Sequence, residues 1–156
     1  MIDSRQLLKI ARELATSKGR GRPRSGALRR SISTSYYALF HFLLTSAADL
    51  LVGVTERNKL RYRLVYRAFD HGRMRSCCEN ALKPGHFGVH IRECAASFMD
   101  LQDTRHKADY DPSAPVTLSE AKAAIERAEG ALQRFGAAPE AEKRLFLTLL
   151  HFRPRP

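Results

Sequence analysis

The sequence has few cysteines, and their placement excludes a disulfide framework. Only three occur among 156 residues. Three is an odd number, Cys77 and Cys78 are adjacent, Cys94 stands apart, and no C-x-x-C pair is present. Disulfide-stabilised domains need paired cysteines and an oxidising compartment, so a reducing compartment fits this chain better. We therefore expect it in the cytoplasm.

Long uninterrupted apolar runs are also missing. The stretch 38–44 contains His41 and is shorter than a membrane span requires. Residues 1–5 lack the basic start and the apolar block of a signal peptide. We expect no membrane partner. Because 44% of the residues are hydrophobic, the composition suits a folded domain. We predict one helical domain over 1–136 and a partly helical tail over 137–156.

Acidic residues are scarce relative to basic ones. The chain has 27 lysines and arginines against 16 aspartates and glutamates, a formal charge of +11. Such a charge concentrates anions near the surface, whether nucleic acid, nucleotides, acidic lipid or an acidic protein. Arginine greatly outnumbers lysine, and its planar fork favours bidentate contacts with phosphate. Composition alone leaves the choice among these anions open.

No segment shows the alternation of a β-strand, whereas apolar residues recur at helical spacing. This pattern predicts an all-α, up-and-down bundle of four to five main helices. In the third helix, Leu60, Leu64, Tyr66 and Phe69 are predicted to face inward. Gly72 is predicted to end this helix, and a short helical turn to continue through Leu82. A capping box of Thr117 and Glu120 is predicted to open the fifth helix. The predicted main helices span 3–17, 27–52, 55–71, 89–108 and 117–135, with a marginal one over 140–151.

A line of polar residues interrupts the apolar surface of the second predicted helix. Ser33, Tyr37 and His41 are spaced by four, so they share one face, with Arg29 and Arg30 one turn earlier.

The fourth predicted helix carries a similar polar line near its end. Gln102, Arg105 and Asp109 lie along it, beside His106 and Tyr110. If the second and fourth helices pack antiparallel, the two lines meet in one cleft. The alternative is a buried hydrogen-bond network that sets the register of the helices.

Two segments give the chain a resemblance to a known family. Residues 28–41, LRRSISTSYYALFH, contain an arginine, small residues and then Tyr-Tyr-Ala-x-Phe-His. Residues 101–112, LQDTRHKADYDP, contain Arg-x-x-Ala-Asp-Tyr-Asp. Together they resemble the motifs of HEPN (higher eukaryotes and prokaryotes nucleotide-binding) domains, in the same order and over about residues 5–135. The resemblance implies a HEPN-like helical bundle.

The resemblance also implies an activity. Many HEPN domains are metal-independent RNases, and they dimerise so that an Arg-x(4–6)-His motif from each subunit faces one cleft. Arg105 matches the arginine that holds the scissile phosphate. The expected histidine position holds Asp109-Tyr110-Asp111 instead, and His41 on the neighbouring helix is the candidate replacement. The implied catalytic residues are Arg105, His41 and Tyr110; the implied phosphate contacts in the cleft are Arg29, Arg30, Tyr37 and Asp109.

The partners follow from the same resemblance. We expect RNA or a nucleotide as ligand, a homodimer, no cofactor, and a toxin–antitoxin or defence setting. In such a setting a minimal nucleotidyltransferase acts as the antitoxin. Because the histidine after Arg105 is absent, a second hypothesis stays open. It is a non-catalytic binding or assembly module whose polar cluster is structural.

Further basic segments are candidate phosphate contacts. The loop 20–24 resembles an AT-hook core, and its Arg22 and Arg24 would more simply serve as a phosphate-contacting arm. Arg63 and Arg67 of the third helix are predicted to contact phosphates. The nearby Tyr62 and Tyr66 would either stack on bases or pack in the core.

A metal site is not expected in this chain. His86, His90 and Cys94 are each four residues apart, which is a metal-ligand spacing on a continuous helix. Pro84, Gly85 and Gly88 interrupt any helix at His86, however, so no metal ligand is predicted.

Overall fold

The computed structural model describes residues 2–16, 21 and 24–152. Over these residues the chain forms seven α-helices and no β-strand, which confirms the predicted all-α class. The helices are α1 Ser4–Ala15, α2 Ser25–Val52, α3 Leu60–Arg67, α4 His71–Ala81, α5 Val89–Tyr110, α6 Leu118–Ala137 and α7 Glu140–His151.

Helix α2 is the central element of the bundle. It packs against α1, α5 and α6, and also against α3 and α7. Tyr36, Leu39 and Leu43 are completely buried, and alanines and serines fill the remaining close contacts. By length and composition α2 is apolar enough to cross a membrane, which differs from the expectation based on the short apolar run 38–44. Contact with helices on several sides accounts for this apolar character.

Small residues allow α1 and α6 to approach α2 closely. Ser31 is buried, and its Oγ donates a hydrogen bond of 2.7 Å to the carbonyl oxygen of Ala11 in α1. Helix α6 buries alanines along its inner face, among them Ala121, Ala128 and Ala131. Its predicted capping box is confirmed, because the side chains and backbone N–H groups of Thr117 and Glu120 bond reciprocally.

The prediction of one helix over 55–71 is wrong. A 3₁₀ turn, Val54–Glu56, is followed by the short α3, and a separate helix α4 begins at His71. Asp70 is extended, and its side chain accepts a hydrogen bond of 2.7 Å from the backbone N–H of Arg73. This N-cap starts a new helix. Gly72 therefore lies in the first turn of α4 and does not end a helix.

The predicted inward face of the third helix is wrong for its two leucines, whereas Tyr66 and Phe69 are partly buried and pack against the core as predicted. Leu60 and Leu64 are 65% and 62% exposed, whereas Tyr62 is 2% exposed. The hydroxyl of Tyr62 donates to Asp49 of α2 at 2.8 Å, and Arg57 also donates to Asp49. A shared carboxylate thus decides which face of α3 turns inward. Tyr62 therefore packs in the core.

Helix α7 completes the core at the end of the described chain. Phe146 and Leu150 are fully buried, and α7 packs against α2, α4 and α5. The ring of Phe146 meets Phe87 edge-on at 5.9 Å between centroids and lies 6.4 Å from Phe135. This segment therefore contributes to the same core as α2.

We predict that Phe146→Ala lowers the free energy of unfolding by about 3–5 kcal/mol, because a large buried ring is lost and a cavity remains. Urea denaturation followed by circular dichroism measures this. The adjacent Leu145 is 48% exposed, so Leu145→Ala is a matched control with an expected effect within about 0.5 kcal/mol. Equal effects of the two variants would contradict the packing of α7.

Candidate functional site

The structure brings the two polar lines together. Ser33 Oγ donates to Asp109 Oδ2 at 3.2 Å, and Arg105 Nη2 donates to the hydroxyl of Tyr37 at 3.2 Å. Residue numbers rise along α2 as they fall along α5, so the two helices are antiparallel. The polar line of α2 and the polar line of α5 therefore meet at one place, near the C-terminal end of α5.

The guanidinium of Arg105 is the centre of this cluster. Its Nε donates to Asp109 Oδ2 at 2.8 Å, and Nη2 also lies 3.4 Å from the hydroxyl of Tyr110. The guanidinium carbon is 5.5–5.6 Å from the ring centroids of Tyr36, Tyr37 and Tyr110, within the range of cation–π attraction. The side chain is 14% exposed. Within the described residues, Nη1 has no hydrogen-bond acceptor.

The charge of Arg105 is maintained by its neighbours. Burial by itself lowers the pKa of the guanidinium, but Tyr37, Asp109 and Tyr110 together raise the pKa above its ordinary value. Asp109 also accepts from Ser33, so its carboxylate is held on two sides. The cluster thus contains a permanent cation whose orientation is set by one carboxylate and whose Nη1 has no acceptor among the described residues.

His41 joins the cluster through aromatic rings. Its imidazole stacks on Tyr37 with centroids 5.9 Å apart, and on Tyr66 at 6.0 Å with nearly parallel planes. His41 Nδ1 is 2.6 Å from the hydroxyl of Tyr66. Burial, with a smaller contribution from His71, lowers the pKa of His41, so the ring is neutral near pH 7. We call Tyr37, His41 and Tyr66 the aromatic row.

His71 is a member of this region that the sequence patterns missed. Its Nδ1 lies 2.6 Å from the hydroxyl of Tyr36, and its ring stacks on Phe40 at 4.3 Å. Burial, and next the charge of Arg105, lowers the pKa of His71, while Asp70 opposes the shift. Asp70 is an N-cap residue type and could have marked His71 as the start of a helix. No periodicity, however, relates His71 to Tyr36.

The two arginines at the start of α2 have different surroundings. The guanidinium of Arg29 donates to the carbonyl oxygens of Ala108 at 2.7 Å and Asp111 at 2.9 Å. It also donates to those of Pro112 and Ala114, at 3.4 and 2.6 Å. These donors satisfy the C-terminal end of α5 and the loop after it. Arg30 is exposed. Arg29 is therefore engaged within the fold rather than in the Arg105 cluster.

The aromatic row leads to a second basic region. Arg63, Arg67 and Tyr66 line a cavity of about 380 Å³ with Ile2, Arg57, Asn58 and Tyr62. Arg57 is paired with Asp49, but Arg63 and Arg67 are exposed and have no carboxylate partner in the described part of the chain. Tyr66 therefore belongs both to the row and to this cavity.

The remaining predicted sites do not join the cluster. Arg24 is exposed and precedes α2 without a side-chain capping bond. Arg22 lies outside the described residues, as does most of the AT-hook-like segment 20–24. Among residues 2–16, 21 and 24–152, no group of three or more histidines, cysteines or carboxylates is arranged to hold a metal ion. Cys94 is buried, and burial raises the pKa of its thiol to about 12.

We predict that Arg29→Ala lowers the free energy of unfolding by about 2–3 kcal/mol, because the carbonyl groups at the end of α5 lose a charged donor. The neighbouring Arg30 is exposed, so Arg30→Ala removes the same charge from the same turn and should change stability by less than about 0.5 kcal/mol. Thermal or urea unfolding compares the two. If both variants are as stable as the wild type, the proposed capping role of Arg29 is refuted.

Comparison with known proteins gives no further assignment. No family model matches the chain, and no curated protein and no solved structure match it. The HEPN resemblance therefore depends on the two sequence motifs and stays a prediction. Functional inference starts from the geometry of Arg105 and the aromatic row.

Proposed function

We propose that this chain is a HEPN-like, cytoplasmic RNA-binding protein in which Arg105 contacts a backbone phosphate. The observation that carries the proposal is the continuity of three features. An oriented guanidinium, a row of stacked rings and a pair of unneutralised arginines follow one another along one side of α2. A single RNA strand needs cations for its phosphates and flat rings for its bases, and this arrangement supplies both.

Arg105 supplies the phosphate contact in this proposal. Asp109 holds Nε, which leaves the Nη1 edge of the fork directed away from the carboxylate and able to donate to a phosphate oxygen. Tyr110 is 63% exposed, and a base can stack on its ring beside the bound phosphate. Asp109 is thus a positioning residue, and it also reduces the net attraction for an anion.

The aromatic row and the second basic region extend the contact. Tyr37, His41 and Tyr66 are partly exposed and about 6 Å apart. Arg63 and Arg67, at the far end of the row, would contact further phosphates. Stacking and phosphate contacts carry little sequence information, so the proposed binding is strong at low salt and tolerant of sequence.

We predict that Arg105→Ala weakens binding of a labelled single-stranded RNA by about tenfold and reduces the salt dependence by about one ion, because one phosphate contact is lost. Fluorescence anisotropy at several salt concentrations measures both. The matched control is Arg92→Ala, which removes an exposed arginine near the other end of α5 and should cost less than about twofold. Equal losses in the two variants would show that Arg105 contributes only general charge.

A second variant keeps this test informative if Arg105→Ala unfolds. Asp109→Asn keeps the shape of the side chain and an acceptor for Arg105 Nε but removes the negative charge that competes with a phosphate, so RNA affinity should rise. The alternative function, a non-catalytic assembly module with a structural polar cluster, is favoured by the two bonds that Asp109 accepts. It predicts the opposite, namely a loss of stability by about 1–3 kcal/mol with no gain in affinity.

RNA cleavage is a second candidate function, and the neutral ring of His41 favours it. Nδ1 is held by Tyr66, and Nε2 has no partner among the described residues. In the proposed step, His41 Nε2 accepts the proton of a ribose 2′-hydroxyl. The O2′ oxygen then bonds to phosphorus, the bond from phosphorus to O5′ breaks, and O5′ takes up a proton from the imidazolium. The products are a 2′,3′-cyclic phosphate and a 5′-hydroxyl.

We predict that the wild type cleaves RNA in EDTA and leaves 2′,3′-cyclic phosphate ends, and that His41→Asn slows cleavage by at least about 100-fold. Asparagine retains a polar atom near the Nδ1 position but does not accept a proton. His106→Asn is the control, because His106 is exposed beside the cluster. Denaturing gels and end-group analysis follow the products. Equal rates for the two variants would exclude His41 as the base.

The assembly state belongs to the same proposal. By resemblance to HEPN domains, two copies would place two Arg105 centres in one cleft, in a toxin–antitoxin or defence setting with a minimal nucleotidyltransferase as the antitoxin. The exposed Tyr110 lies beside Arg105 and is the residue that a second copy would approach.

A further inference from the structure

A second cavity lies apart from Arg105, between α4, the loop 82–88 and α7. Its volume is about 640 Å³, within the range of small-molecule sites. No residue of the Arg105 cluster or of the aromatic row lines it. The lining residues are Arg73, Ser76, Cys77, Asn80, Lys83, His86, Phe87, Leu149 and Phe152.

One wall of this cavity is basic and not neutralised. It is formed by Arg73, Lys83 and His86, and no carboxylate is among the lining residues. Within the described residues, none of the three pairs with an acidic side chain. Arg73 Nη2 donates to the carbonyl oxygen of His151, which anchors the guanidinium against α7, while its Nε is buried without an acceptor. The uncompensated charges of Arg73 and Lys83 in a concave site attract a small anion.

The conformation of the loop 82–88 positions two residues of the basic wall, Lys83 and His86. Gly85 has a φ of +86°, which a residue with a side chain rarely adopts, so the turn between Lys83 and His86 needs glycine. The backbone N–H of Gly88 donates to Glu142 Oε2 at 3.0 Å, and a Cβ at Gly88 would meet Glu142 Oε1 at 3.0 Å. Helix α7 therefore holds the loop that carries two of the basic residues.

Three other residues that line the cavity, Phe87, Leu149 and Phe152, are apolar. Phe87 is held in place by its edge-on contact with Phe146, and Phe152 is exposed at the rim. Leu149 packs against the core beside the cavity. Ser76 and Asn80 add hydrogen-bonding groups to the lining. A flat ring would pack against the apolar side chains, and its polar edge would bond to the serine or the asparagine.

We propose that this cavity binds a phosphate monoester that also carries a flat ring, such as a nucleoside monophosphate. The phosphate contacts Arg73, Lys83 and His86, and the ring packs against Phe87 and Phe152. This site is independent of the proposed RNA contact at Arg105, since the two share no residue.

Isothermal titration of the full chain with adenosine 5′-monophosphate tests the proposal. We expect saturable binding at one site per chain, with adenosine and inorganic phosphate each weaker by at least about tenfold, or about 1.4 kcal/mol. Phenyl phosphate is a further probe. Binding of either ester supports the site, and their ratio shows whether a nucleobase or any aromatic ring is selected.

Two variants locate the binding. Lys83→Glu reverses an exposed charge of the wall and Phe152→Ala removes the exposed ring, so neither disturbs the core; each should weaken binding by at least about tenfold. Lys9→Glu makes the same charge change on the exposed side of α1 and should have an effect below about twofold. No saturable binding of either ester, or equal losses in Lys83→Glu and Lys9→Glu, would overturn the proposal. Binding retained in Lys83→Glu but lost in Arg105→Ala would also overturn it.

Discussion

Helix α2 packs antiparallel against α5, and the candidate functional centre exists only because of this packing. Tyr37 and Ser33 approach Arg105 and Asp109 from the other helix, so neither line forms a site by itself. Arg29 supports the arrangement by donating to the carbonyl groups where α5 ends. A buried cation that lost these neighbours would carry a large desolvation cost, which explains why the polar contacts occur together at one level of the bundle.

The electrostatics of the centre both attract a phosphate and oppose its binding. Arg105 keeps its charge because one carboxylate and three phenol rings surround it, yet the same carboxylate competes with any phosphate that approaches. His41 and His71 are held toward their neutral forms by burial. The centre therefore has a fixed cation beside two uncharged imidazoles. This combination suits binding of a phosphate diester and, at His41, proton transfer.

Basic charge is distributed unevenly over the chain. Arg29, Arg57 and Arg75 donate to carbonyl or carboxylate oxygens and serve the fold. Arg63 and Arg67 beside Tyr66 have no such partners among the described residues, and neither has Lys83 in the cavity formed with α7. Of the basic residues behind the formal charge of +11, some thus stabilise the fold and others have no acidic partner among the described residues. The latter are available to an anionic ligand, and Arg63, Arg67 and Lys83 line cavities that also contain aromatic rings.

The amino-acid sequence by itself determined the helical class, the capping box of α6 and the two polar lines, because helical periodicity and capping are local properties of the chain. It did not determine the break before α4, the inward turn of Tyr62 or the participation of His71. Asp49 of α2 determines which face of α3 is buried. His71 bonds to Tyr36 and stacks on Phe40, although it is far from both in sequence. Leucines at helical spacing predict burial only while no stronger polar contact rotates the helix. Such contacts arise only when distant segments meet, so tertiary structure alone decided them.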